Sequence, residues 1–265
     1  MRVAIVHDWL TGMRGGEKAL EQICRLFPAA ELFTLVHVPG SVSAALEARP
    51  IHTAFTQRLP FVATAYRRYL PLFPAAIERL DLGGYDFVVS CSHCVAKSVI
   101  VPAGVRHVCY CLTPMRYAWD QFDAYFGPER VGRLQSRLLK PVMARLARWD
   151  RATAHRPDRY LAISQYVARR IGLYYNRQST IVYPPVDTAR FTPGDAAAGD
   201  TFVIVSALVP YKRLDVAILA AHAAGVSLDI IGDGPERTHL EALAGRGPGV
   251  RLLGRLGDDA VREHY

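Results

Sequence analysis

The 265 residues carry 32 Lys and Arg against 24 Asp and Glu, a formal net charge of +8, with 51% of residues hydrophobic and 21% charged. That length and balance suit one large or two modest globular domains with a real core. They exclude a membrane-spanning helix, because no apolar run approaches the ~18–20 residues that a span needs.

The chain opens with a short apolar strand, Val3 to Val6, and His7 and Asp8 then stand where a signal peptide would keep its apolar stretch. A cytoplasmic protein is therefore expected. A loop bearing Gly12, Gly15 and Gly16 follows, then a helix from about Glu17 to Leu26 with Ala19, Leu20, Ile23 and Leu26 at helical spacing. Strand, glycine loop and helix in that order begin an α/β domain. Glu31 to Val36 reads as the next strand. Residues Arg58 to Pro74 mix aromatics, arginines and Pro60, Pro71 and Pro74, which predicts helix broken by loops.

Further strands are expected at Phe87–Ser90, Val108–Leu112, Tyr160–Ile163 and Thr180–Tyr183, with Ser164 placed to cap the helix that carries Val167, Ala168 and Ile171. Between Gly132 and Arg151 runs an arginine-rich helix whose Leu134, Leu138, Leu139, Val142, Leu146 and Trp149 recur at helix spacing, a pattern for a packed helix with a solvated basic face. Pro141 predicts a kink or break within it. Asp150 is the one acid among its charges from Arg130 to Arg151.

Pro184-Pro185 ends the first series, giving a domain over 1–184 and a linker over 185–200. A second series spans 201–265: strand Thr201–Val205, helix Asp215–Ala224, strand Leu228–Ile231, helix Pro235–Leu243, strand Val250–Leu253, and a last helix after Asp258. Three strands are fewer than the six or so of a doubly wound nucleotide domain, so the second domain is expected to be incomplete. The basic character belongs to the first part. Residues 1–186 hold 24 Lys and Arg against 13 Asp and Glu, whereas residues 187–265 hold 8 against 11. That asymmetry points to a nucleic acid, an acidic substrate or an anionic membrane surface. A nucleic-acid partner is not expected, because no recognition module accompanies the charge.

The spacings Cys91-x-x-Cys94 and Cys109-x-Cys111, near His93 and His107, raise a zinc site. Both pairs fall on strand-like runs, however, where cysteine usually serves as a small buried apolar residue, and no metal is expected. Gly15-Gly16-Glu17 and Gly232-Asp-Gly-Pro-Glu236 each stand where a strand turns into a helix. Glycine there lets the backbone approach a ligand, the helix N-terminus offers N–H groups to phosphate or sugar oxygens, and Pro235 suits a first helical position. The second segment fails the dinucleotide fingerprint because Arg237 holds the third glycine position. Lys212 and Arg213 follow the first strand of the second series, at the carboxyl edge where such sheets bind ligands. Cations there can neutralise a leaving diphosphate.

Arg68-Tyr-Leu-Pro-Leu-Phe-Pro74, Tyr85-Asp-Phe-Val-Val-Ser-Cys-Ser-His93, Cys109-Tyr-Cys-Leu-Thr-Pro-Met-Arg-Tyr-Ala-Trp-Asp120, Tyr183-Pro-Pro-Val-Asp187 and Val209-Pro-Tyr-Lys-Arg213 together resemble bacterial glycosyltransferase family 4. The resemblance runs nearly end to end. It implies a GT-B-like α/β fold of two Rossmann-like domains. It also implies retaining, metal-independent transfer of a hexose, often mannose, from a nucleoside-diphosphate sugar during surface polysaccharide assembly. No cofactor beyond that co-substrate is implied, and the absence of an Asp-x-Asp pair agrees. The acceptor would be a lipid-linked or other saccharide at the inner membrane face, with the protein peripheral there.

By the same resemblance, Gly15 and Gly16 lie near donor phosphate and acceptor, and Lys212, with Arg213 beside it, meets the donor diphosphate. Gly232, Gly234, Pro235 and Glu236 lie beside the nucleotide. Leu112 stands where the family often has histidine, and Ala207 where many members have arginine. The family's donor-site glutamates fall beyond residue 265, so no catalytic residue is assigned and the chain by itself is expected to be inactive. The alternative is a non-catalytic transferase-like protein that binds an anionic membrane or a lipid-linked saccharide.

Overall fold

The computed structural model describes residues 1–192 and 199–265. It divides into two compact units, Met1–Pro185 and Val186–Tyr265. Part of the expected linker, residues 193–198, lies outside the described residues.

The first unit is built on a seven-stranded sheet: β1 (Val3–His7), β2 (Glu31–Thr34), β3 (Ile51–Thr53), β4 (Phe87–Ser92), β5 (Arg106–Cys111), β6 (Arg159–Ala162) and β7 (Ser179–Ile181). The order is β3-β2-β1-β4-β5-β6-β7, and every neighbouring pair is parallel. Parallel sheets must be covered on both faces, which explains why the central strands read as apolar runs. Ala4, Val6 and Val88 face one core, with Tyr66, Phe73, Met143 and Leu146. Val3, Ile5, Val89 and Cys91 face another, with Ala19, Leu20 and Cys24. Beyond β5, Cys109, Cys111 and Tyr160 pack with Val167 and Ile171. All five cysteines are free and buried. They are core residues.

Sequence reading and structure differ in several places. Strand β3 was not expected: it is a three-residue edge strand, too short to show alternation, held by its pairing with β2. β2 stops at Thr34, and β7 covers Ser179–Ile181, although Val182 N–H still donates to Ala162 O at 2.9 Å. Helix α1 (Gly15–Leu26) takes Gly15 and Gly16 as its own first residues, with Arg14 as the N-cap. The segment 55–78 forms short 3-10 and α turns, ending in α2 (Phe73–Glu78).

Helix α3 (Arg133–Ala152) runs unbroken through Pro141. The proline removes one internal hydrogen bond, yet tertiary packing holds the helix on either side. Its buried stripe is Ser136, Met143, Leu146, Ala147 and Asp150. Leu134 and Leu138 instead stand 75% and 63% exposed on the arginine side. Helix α4 (Gln165–Tyr175) is capped as expected, with Ser164 accepting from Val167 N–H at 3.1 Å.

Among the described residues the second unit has three parallel strands, β8 (Thr201–Val205), β9 (Ser227–Ile231) and β10 (Val250–Gly254), in the order β10-β9-β8. Helices α5 (Leu214–Ala224) and α6 (Arg237–Ala244) pack their Leu214, Ile218, Leu240 and Leu243 on Leu228 and Ile230. Helix α7 (Asp258–Glu263) follows β10. Among the described residues, no helix is long and apolar enough to cross a membrane.

Candidate functional site

In the first unit the chain builds outward from β1 to β3, then crosses back to start β4 on the other side of β1. Open parallel sheets bind ligands at such a reversal, beyond the carboxyl ends of the strands. Here those ends carry His7 as the last residue of β1 and Asp8 just after it, His93 after β4 and Leu112 after β5.

Asp8 is fully buried and accepts four backbone N–H groups, from His93 (2.7 Å), Cys94 (2.9 Å), Val95 (2.6 Å) and Ala96 (2.8 Å). Nδ1 of His93 lies 3.0 Å from Asp8 Oδ2. Burial alone would raise the Asp8 pKa, but the His93 and His7 charges and the amides hold it well below the usual carboxylate range. Beneath the loop, His7 Nδ1–H donates to Cys91 O at 2.7 Å, and His7 Nε2 lies 3.8 Å from Glu17 Oε1. Burial would lower the His7 pKa, yet its contacts with Cys91 and Glu17 leave it well above the ordinary value. Glu17, which burial would raise, is lowered chiefly by His7. Its Oε2 also accepts Arg14 N–H at 3.0 Å, closing the first turn of α1.

The two glycines of that turn differ. A side chain at Gly15 would meet nothing within 4 Å, so this position is open. At Gly16 a Cβ would sit 3.1 Å from Leu112 Cδ1, so Gly16 serves contact with the β5 end. Gly16 thus stands at the same end of the sheet as His7, Asp8, Glu17 and His93, and Gly15 is exposed beside it.

The remaining candidates lie in the second unit. After β8 the chain passes Ser206–Val209 and makes a short turn, Pro210–Lys212, into α5. Lys212 is exposed there. Arg213, at φ 51°, folds back on Asp215 through Nε–Oδ1 (3.0 Å) and Nη2–Oδ2 (2.9 Å), so its charge is committed within the turn. After β9 comes Gly232–Glu236. Leu208 N–H donates to Asp233 O (3.0 Å), and Glu236 N–H to Leu208 O (3.1 Å). A Cβ on Gly232 would lie 1.8 Å from Ser206 O, and one on Gly234 2.4 Å from Leu208 O. These glycines therefore let two loops interlock on one sheet edge. Pro235 and Glu236 precede α6, with Glu236 as its N-cap, so Pro235 is not the first helical residue. The turn with Glu236 extends the pairing to Leu208 and delays the helix.

Sequence reasoning missed the Asp8–His93 pair. The residues are 85 positions apart and meet only because β1 pairs with β4 in the register His7↔Cys91. The available signal was a polar residue directly past the end of each of two central strands. Among the described residues, no three His, Cys, Asp or Glu side chains gather as metal ligands.

The sequence model of Glycosyltransferase Family 4 matches residues 13–190. No curated protein matches the sequence. Among solved structures, the chain is similar to the lipopolysaccharide outer core galactosyltransferase WaaB, at 16% identity and TM-score 0.54, over 97% of this chain and 69% of that one. It is similar to Alr3699/HepE of Anabaena in complex with UDP, at 15% identity and TM-score 0.60, over 97% and 70%. It is similar to a sucrose-phosphate synthase from Thermosynechococcus elongatus, at 12% identity and TM-score 0.64, over 100% and 73%. These likenesses give the fold, which is that of GT-B glycosyltransferases.

Proposed function

The chain belongs to Glycosyltransferase Family 4, and from that premise we propose that it moves a hexose, mannose among the candidates, from a nucleoside-diphosphate sugar to a lipid-linked or other saccharide in surface polysaccharide synthesis. The observation that carries this reading is the interlocked edge of the second unit. An exposed lysine follows β8, and a glycine loop follows β9, at the end of a parallel sheet where phosphorylated ligands bind. Lys212 is the donor-diphosphate contact. Gly232, Gly234, Pro235 and Glu236 line the nucleotide side, and Arg213 acts through its turn. UDP bound by Alr3699/HepE supports a nucleotide-sugar donor. Gly15, with open space at its Cβ, leaves room for ligand at the start of α1, beside Gly16.

The transfer is retaining and needs no metal, because Lys212 and backbone N–H groups take the place of a cation on the leaving diphosphate. The protein lies peripherally on the inner membrane face, drawn by the basic first unit. The test is equilibrium binding of UDP-, GDP- and ADP-sugars, followed by transfer to a lipid-diphosphate-linked acceptor with and without EDTA. One donor class should bind, and any transfer should persist in EDTA with the anomeric configuration kept. Binding of none of the three donors would sink the reading.

A further inference from the structure

Nδ1 of His93 is buried, lies 3.0 Å from Asp8 Oδ2, and has no hydrogen-bond partner among the described residues. A carboxylate offers only lone pairs, so a bare Nδ1 facing it would be repelled and a protonated Nδ1 attracted. Asp8 cannot turn away, because four backbone N–H groups fix both its oxygens. The neutral imidazole is thereby held with its proton on Nδ1 and a lone pair on Nε2. The ring is also fixed from the side, edge-to-face against Trp9 at 4.5 Å between centroids. The His93 side chain is 21% exposed and Nδ1 contributes none of that exposure, so it falls on the rest of the ring. Its ring centroid stands 5.6 Å from that of His7, whose Cε1 is 3.9 Å from the Cβ position of Gly16.

The surroundings choose the ligand class. Asp8 and Glu17 flank His7 and His93, and with His7 protonated the cluster still keeps one net negative charge, which repels a phosphate from the ring. A neutral hydroxyl has no such penalty, and an imidazole lone pair is a good acceptor for it. Resting on the transferase reading above, we infer that His93 Nε2 accepts a hydrogen bond from a saccharide hydroxyl in the first unit's crevice. Asp8 is the positioning residue that sets its tautomer.

The experiment is histidine side-chain 15N spectroscopy on the whole chain, carried upward in pH until the ring holds a single proton and its tautomer can be read. His93→Gln identifies the resonance by its loss. The expected result is the Nδ1–H tautomer, with an Nε2 signal that shifts saturably as methyl glycosides of mannose, galactose and glucose are titrated. An Nε2–H tautomer, or a signal that no glycoside moves, overturns the proposal. His93→Ala should weaken glycoside binding roughly three- to tenfold, the scale of one neutral hydrogen bond. His93→Gln, which keeps an acceptor oxygen, should recover most of it, and a glutamine variant as weak as alanine counts against the hydrogen bond. Calorimetry with UDP and GDP separates the two levels of failure. Nucleotide binding without a glycoside response removes His93 alone, whereas loss of both removes the transferase reading as well.

Discussion

At the residue scale, buried charge decides most. Lys97 Nζ and Asp150 Oδ1 lie 3.0 Å apart, both buried. Lys97 also donates to Ser98 Oγ and Asp150 O, while Asp150 Oδ2 accepts from Trp119 Nε1 (2.8 Å) and Tyr175 O–H (2.9 Å). Breaking such a pair strands a charge in the core, so Asp150→Ala should cost about 3–5 kcal/mol, measured by urea unfolding of the first unit. The crevice adds a pH dependence with two limbs. Asp8 is depressed in the folded protein, so its contribution is present above the unfolded value of about 3.9 and lost as pH falls. His7 is raised, so its contribution is present below about 6.5 and lost as pH climbs through its folded value. The urea midpoint should be highest between these limbs, and a flat midpoint from acid to alkaline pH would contradict both assignments. At the second site, Lys212→Ala should weaken nucleotide-sugar binding roughly ten- to a hundredfold while leaving the circular dichroism spectrum unchanged. Lys212 was legible because it stands in a motif just past a strand. Asp150 was legible only as an acid in a basic helix, since its partner Lys97 comes from a distant turn.

At the element scale, α3 shows how far periodicity carries. Helical spacing found the helix, but it put Leu134 and Leu138 in the packed stripe, and the neighbouring layer covers the other side instead. Their exposure beside Arg133, Arg137 and Arg145 gives the helix an apolar and cationic outer face, the composition that settles at an anionic interface. Leu134→Ser with Leu138→Ser should reduce sedimentation with phosphatidylglycerol vesicles at low salt, and Arg137→Glu with Arg145→Glu should reduce it further. Unchanged sedimentation in both variants would clear this helix of the role. The strands were read better than the helix faces, because a parallel sheet covered on both sides leaves continuous apolar runs with little room for error. Strand β3 escaped because three residues hold no pattern.

At the scale of the whole molecule, the two units bury unequal cores. The first has apolar clusters on both faces of seven strands, whereas among the described residues the second rests on one cluster over three. Edge strand β8 leaves Phe202 64% and Val205 44% exposed. A small core gives marginal stability, so urea should unfold the chain in two steps, with amide exchange fastest in residues 201–254. A single cooperative transition with uniform exchange would refute this. The division into two β/α series was legible because each restarts with its own strand, turn and helix. The interlocking of the second unit's loops was not, since it depends on carbonyls meeting glycines across the sheet edge. That interlocking has a consequence for descent and recombination. Ser206–Leu208 and Gly232–Gly234 fit each other so closely that neither can change length or gain a side chain alone. The two loops are therefore a single heritable piece: a chimera that imports one from a relative without the other should misfold, while a chimera that imports both should keep its fold.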